Sequence, residues 1–288
     1  MPLAFHTADR TAMLSQRRYF WWVHGVGYTG VVAAALGAFS WQLGGINVLA
    51  MSAALFFGAQ LLFVLFATHG GDDKAWYDAR AAAESTKTMA WRFAVGGEPF
   101  PISIPEGEAH RAFVERGRQI LGGLSEILRP ALNVVASPLP DALLGLRHSP
   151  LEIRQATYTR VRLEEQLGWY QRKAKHHNRM KNRYTTALVG ISTVGLLGGL
   201  VHSVSTWHMG IDIAGICGAM AGALLSGTQA RQHSLLARAY TVTAHEISYL
   251  LADPPSETEE QWASWVDGAE EALSREHTMW LATHGRHG

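Results

Sequence analysis

The sequence predicts an all-α membrane protein with two transmembrane helical hairpins, four spans in all, and cytoplasmic helical extensions. Three observations predict it. From Tyr19 to Gly71 there is no Lys, Arg, Asp or Glu, and from Tyr184 to Ala230 there is only Asp212. A water-facing helix needs a polar stripe on every turn, so runs this free of charge belong in hydrocarbon. Each run is about twice the ~20 residues that cross a bilayer, and each has a break near its middle where a turn fits. Third, cations gather at the ends of the runs and not at those breaks.

The first hairpin is expected over residues 20–43 and 46–67, with Gly44-Gly45 as its turn. Trp21 and Trp22 at the entry and Trp41 at the exit match an aromatic belt. Arg17 and Arg18 precede it, and its turn is uncharged. The second hairpin is expected over residues 184–202 and 211–228. Arg172, Lys173, Lys175, Arg179, Lys181 and Arg183 precede it, Arg231 and Arg238 follow it, and the loop from Ser203 to Gly210 has no Lys or Arg. The positive-inside bias therefore places both termini in the cytoplasm. The six cations before the second hairpin also suit anionic lipid headgroups, at about 1 kcal/mol per charge near the surface.

Pro130, Pro138 and Pro140 mark an irregular linker. It divides the chain into residues 1–145 and 146–288, each half with one hairpin. Ser103-Ile104-Pro105-Glu106, Ser149-Pro150-Leu151-Glu152 and Ser256-Glu257-Thr258-Glu259 are capping-box patterns and open helices. No Pro interrupts the chain from Leu151 to Pro254, so one helix is expected to run from Leu151 into the third span. Leu163, Leu167, Tyr170 and Ala174 form a stripe on it. Leu236, Tyr240, Ile247 and Leu251 form the matching stripe after the fourth span, giving an antiparallel stalk. Trp262, Trp265, Val266, Ala269, Leu273 and Trp280 share one face of the last helix. No alternation is strong enough to predict a sheet.

Composition excludes several classes. With 25 basic and 24 acidic residues the net charge is +1, so nucleic acid is not an expected partner. One cysteine allows no internal disulfide. The first apolar run is longer than a signal-peptide core and is followed at once by a second, so cleavage is not expected. His245-Glu246 is followed by Ile, Ser and Tyr, which fails the HExxH zinc pattern, and His176 and His177 point about 100° apart on a helix. Phosphate-binding and nucleophile-elbow motifs are absent. No enzyme, catalytic residue, metal site or cofactor is expected.

Two stretches carry a resemblance. The first is Trp76-Tyr77-Asp78-Ala79-Arg80-Ala81-Ala82-Ala83-Glu84-Ser85 with Lys87, Ala90-Trp91-Arg92 and Gly97-Glu98-Pro99-Phe100. The second is Tyr158 and Arg160-Val161-Arg162 with Gln166, Trp169-Tyr170 and Lys173-Ala174. Together the halves resemble the tandem two-transmembrane bacterial SLATT family, type 3 followed by type 1. That resemblance implies a membrane effector of a bacterial conflict system, in the inner membrane, with a nucleotide-signalling partner. It also implies pore formation, and it implies no catalytic residues.

The residues themselves offer three further candidates. Gly215, Gly218 and Gly222 line one face of the fourth span and, with Ser192 and Thr193, suit span packing or a pore lining. Asp212, the lone acid, lies near the outer end of that span, as an interfacial acid or a pore-mouth site. Trp76, Tyr77, Arg80, Glu84, Lys87 and Trp91 follow one helix and suit a structural network or a signal-sensing site. The expectation is an oligomeric inner-membrane effector that conducts ions, with the bilayer and three or more further copies of itself as partners. The alternative is a non-conducting scaffold presenting a helical platform.

Overall fold

Charge-free segments that must satisfy their own backbone in lipid leave the chain little choice but helix. A computed structural model describes residues 1–122, 139–204, 211–253 and 258–284. The helices are α1 (Leu3–Gly37), α2 (Val48–His69), α3 (Asp72–Val95), α4 (Glu106–Gly122), α5 (Asp141–Arg147), α6 (Leu151–Thr157), α7 (Glu165–Val204), α8 (Ile213–Arg231), α9 (His233–Ala252) and α10 (Glu259–His284). A π-helical stretch, Tyr158–Glu164, joins α6 to α7 without a break, so the chain is helical from Leu151 to Val204. Among the described residues, three helical stretches are long and apolar enough to cross a membrane: Val48–Val95, Leu151–Ser203 and Ile213–Ala252. The first expected span, within α1, falls short of that standard, because His24, Gly25, Gly27, Tyr28, Thr29 and Gly30 dilute it.

Local details depart from expectation in three places, and a fourth was not anticipated. A two-residue ladder, β1 (Gln42–Leu43) with β2 (Ile46–Asn47), closes the first hairpin, where no strand was expected. Gly44 at φ 60° and Gly45 at φ 84° supply the two left-handed positions that such a tight turn requires. Second, Ser149 does not cap α6. Its hydroxyl donates to the Gly145 carbonyl 2.9 Å away, and Pro150 occupies the cap position with no side-chain bond. Third, α10 begins after Thr258, whose Oγ1 accepts from the Gln261 N–H at 3.3 Å. Ser256, the linker prolines Pro130 and Pro138, most of the loop after Ser203 and the side chain of Trp280 lie outside the described residues. Fourth, helix α1 starts at Leu3, well before the apolar run. Ala4, Ala8, Ala12 and Ser15 are buried at helical spacing. Ala4 and Ala8 meet Ala82 and Ala83 of α3, and Ala12 meets Ala79, a seam of small residues that lets the two helices approach closely.

The chain divides into two compact units that do not follow the sequence halves. The first gathers residues 1–15, 74–174 and 237–288; the second gathers residues 16–73 and 175–236. Besides the alanine seam, two larger apolar clusters fill the first. In one, Trp91 and Val95 of α3 pack with Tyr158, Leu163 and Tyr170, with Ala244 and Ile247 of α9, and with Trp262, Val266 and Ala269 of α10. The stalk stripes meet here: the Trp169 and Tyr170 rings lie 5.5 and 5.7 Å from that of Tyr240. In the other, the Phe93 ring meets Phe100 and Phe113 edge-on, and those two rings are tilted against each other.

In the second unit, α1 packs on α2 where Gly25 makes room for the Phe63 ring, and on α8 where Gly27 meets Ala223. Helix α8 packs on α7 through Cys217 and Ile213. A Cβ added at Gly195 would lie 2.9 Å from Cys217 Cβ, and one at Gly198 would lie 2.8 Å from the Ile213 side chain. Small residues at such seams let helix backbones come close in lipid.

Candidate functional site

In the first unit the chemistry starts at the C-terminus of α3. The last turn of any helix leaves carbonyls without internal donors. Gly96, at φ 75°, ends the helix in the left-handed region, and a Cβ there would strike Ile102 at 2.7 Å. Two buried arginines and an indole supply the missing donors. Arg147 Nη1 donates to the Phe93 carbonyl (2.8 Å) and the Phe100 carbonyl (2.7 Å), and Nη2 donates to the Pro101 carbonyl (3.0 Å). Arg154 Nη1 and Trp262 Nε1 both donate to the Val95 carbonyl, each at 2.7 Å. Arg154 also donates to the Ser149 carbonyl and pairs with Glu259. Positive charge at a helix C-terminus is favoured by the helix dipole as well.

About two turns back along α3, at Thr88, lies a buried polar node. Glu270 of α10 is fully buried, and its carboxylate accepts four hydrogen bonds. Tyr158 Oη donates at 2.9 Å, Arg162 Nε at 2.8 Å, Arg162 Nη2 at 2.6 Å and Thr88 Oγ1 of α3 at 2.8 Å. The Arg162 and Glu270 side chains are 3% and 0% exposed, so water screens neither charge. Burial, and then the Glu270 carboxylate, push the Tyr158 hydroxyl well above its usual range. Burial and the neighbouring Arg162 guanidinium hold the Lys87 ammonium below its usual range.

The π-helical stretch lets the node and the apolar core share one helix face. A π turn closes at i→i+5, bringing residues five apart towards one face. Tyr158 and Leu163 are such a pair and both are fully buried. In an α-helix they would sit about 140° apart, and one would face solvent.

The residues predicted as a network along α3 are divided. Arg80 pairs with Glu84 at 2.6 Å and with Asp9 at 3.6 Å, a partly exposed ionic edge. Lys87 is half-buried and feels the positive charge of Arg162. Trp91 is core, its ring 5.9 Å from that of Tyr158. Trp76 lies on the Ala12–Ala79 seam and stacks on Tyr77 at 4.6 Å. Sequence reasoning missed Glu270, Arg147 and Arg154 altogether. Arg162 stands in the second family-like motif, yet nothing there separates it from its exposed neighbour Arg160.

In the second unit, Gly218 and Gly222 have nothing within 4 Å of where a Cβ would project. The hairpin seam uses Ile213 and Cys217 on another face of α8, so these glycines point away from it. Gly215, Ser192 and Thr193 are exposed too, and the Thr193 hydroxyl is satisfied by the Val189 carbonyl at 2.8 Å. Asp212 caps α8, accepting from the Gly215 N–H at 2.8 Å, and lines a cleft with Ala34, Gly37, Ala38 and His202. Arg172, Lys173, Lys175, Arg179, Lys181 and Arg183 are all exposed along α7.

Residues 2–155 match the family profile described as SMODS and SLOG-associating 2TM effector domain 3, and residues 158–280 match the one described as effector domain 1. The chain belongs to the SLATT family. No curated protein and no solved structure matches it. Two-transmembrane domains in tandem, together with the apolar helices above, make this a helical membrane protein. The SLATT description also identifies its domains as effectors. The two SLATT matches meet at the start of the π-helical stretch. The node spans both: Thr88 comes from the first domain, and Tyr158, Arg162 and Glu270 come from the second.

Proposed function

We propose that this SLATT protein is a homo-oligomeric inner-membrane effector of a bacterial conflict system. It crosses the membrane four times with both termini in the cytoplasm, and it opens an ion path when its helical bundle receives a signal. One observation carries the reading: the Gly215–Gly218–Gly222 face of apolar helix α8 is exposed and meets no neighbour at Gly218 or Gly222. Small-residue faces in lipid are where helices come together. A second copy, or a ring of four or more around an axis along the membrane normal, would cover this face and place Ser192 and Thr193 near a water path. One chain alone offers too few polar groups to line such a path. The description of both domains as SMODS- and SLOG-associating effectors supports a signalling input from a partner, and the family resemblance implies that the partner is a nucleotide-signalling one. The exposed cations of α7 anchor the inner face on anionic headgroups.

The test is native mass measurement in mild detergent combined with ion flux from liposomes, alongside a membrane-potential dye in cells expressing the protein. An oligomer that depolarises cells supports the proposal. A folded protein that leaves the potential untouched is the scaffold, and a stable monomer in every mild detergent ends the oligomer reading.

A further inference from the structure

The second unit holds a histidine contact that neither the spans nor the node explains. His177 of α7 and His233, the first residue of α9, bring their Nδ1 atoms to 2.9 Å. His233 is 6% exposed, and the Tyr184 ring stacks on it at 5.5 Å and 22°. Immediately before it, Gln232 adopts φ 46°, the one non-glycine residue in the left-handed region among the described residues, and this breaks α8 from α9. The contact therefore clasps a helix joint. Its charged and titratable surroundings come from three helices. Helix α7 supplies His176, His177 and Tyr184. Helix α8 supplies Arg231, whose guanidinium lies 4.9 Å over the Phe20 ring. Helix α1 supplies His24, 3.3 Å from Arg231 Nη2. His233 Nε2 is buried without a hydrogen-bond partner.

Two facing Nδ1 atoms at this distance share one proton: one ring donates and the other accepts through its lone pair. A singly charged pair keeps that bond. A second proton removes the acceptor and sets two like charges 2.9 Å apart beside Arg231. We propose that the His177–His233 bond is a proton-operated latch, which holds the α8–α9 joint to α7 near neutral pH and releases it when both imidazoles are charged. Burial, then Arg231 and His176, hold the His233 imidazole below its usual 6.5. The sign follows. The fold favours neutral His233, so its contribution is complete above about pH 6.5 and is lost as pH falls through the lowered value. A bound divalent cation is the weaker reading of the same pair, since Arg231 and the α7 cations repel it and no carboxylate stands among the groups named.

The inference does not require that the protein conduct. The experiment is hydrogen–deuterium exchange on the full chain in lipid nanodiscs, corrected for intrinsic rates, from about pH 7.5 to about pH 5, the range in which histidine titrates. Residues 225–240 should exchange several-fold faster at the acid end in the wild type. His233→Gln and His177→Gln should each abolish that pH dependence, while His176→Gln should keep it. A flat wild-type profile overturns the latch. So does an undiminished acid response in both His233→Gln and His177→Gln, and having two variants guards against one failing to fold.

Discussion

Replacing Glu270 by Gln tests the node with almost no change in shape. The carboxylate lies between four donated hydrogen bonds, two of them from Arg162, at 2.6 to 2.9 Å. An amide keeps one acceptor oxygen, turns an NH2 towards existing donors, and leaves the Arg162 guanidinium buried with no counter-charge. Breaking a buried pair in this way costs about 3–5 kcal/mol. The Arg80–Glu84 pair, with side chains 41% and 33% exposed, is the internal control and is worth only about 0.3–0.5 kcal/mol. At roughly 2–4 °C per kcal/mol for a chain of this size, Glu270→Gln should lower Tm by roughly 6–20 °C and Arg80→Ala by about 1–2 °C. Tryptophan fluorescence in detergent is a suitable monitor, because Trp91, Trp262 and Trp265 pack in the same cluster. Arg162→Met combined with Glu270→Met removes both charges and should recover most of the loss, since an apolar pair of similar volume costs little. A Glu270→Gln shift no larger than that of Arg80→Ala, or single-variant losses that simply add in the double variant, would refute the assignment.

Two further outcomes are expected. Gly195→Leu should destabilise the protein by about 1–3 kcal/mol, because its first side-chain atom meets Cys217, whereas Gly218→Leu should leave the single chain's Tm unchanged and lower the oligomer mass. Equal effects of the two would remove the case for an interface. Reporter fusions after Gly71, Ser149 and Gly288 should all read cytoplasmic, and a periplasmic signal at Ser149 would contradict the four-span topology.

The apolar helices and the stalk were legible because their causes are local and periodic. A 3.6-residue stripe such as Leu163, Leu167, Tyr170 is written in the sequence, and so is the Gly-Gly turn. The node was not legible. An arginine reads as a surface residue unless its partner is known, and the partners of Arg162 lie 74 and 108 positions away. The π-helical stretch hid the burial of Leu163 beside Tyr158, because α periodicity places those two on different faces. Arg147 and Arg154 were missed for a related reason: they bond backbone carbonyls, which no side-chain pattern records. The buried start of α1 was missed because alanine at every fourth position carries little hydrophobic signal, although it packs closely against α3.

The node's energy also bears on how a trigger could work. A ligand that binds only the released bundle, at a hundred times its Kd, shifts the equilibrium by about 2.7 kcal/mol, and at a thousand times by about 4.1. These values are of the same order as the ~3–5 kcal/mol that removing one partner of the buried Arg162–Glu270 pair costs, so the variant and a bound ligand should bias the bundle to a similar extent. Three elements that bear node residues or pack beside them are also joined to an apolar helix by short chain. Gly70 and Gly71 link α2 to α3, α7 continues from Arg162 without a break, and Gln232 alone separates α8 from α9. If the bundle restrains the spans, weakening the node should substitute for the signal. Glu270→Gln, expressed at levels where the wild type is silent, should depolarise cells or leak ions from liposomes without a trigger. Arg162→Met with Glu270→Met, which restores packing without charge, should return the protein towards silence. Adding Gly218→Leu to Glu270→Gln should abolish the leak while leaving the Glu270→Gln Tm unchanged, since it acts on assembly and not on the bundle. A folded Glu270→Gln protein that remains silent, while a triggered wild type conducts, would separate the node from gating and leave it a purely structural clasp.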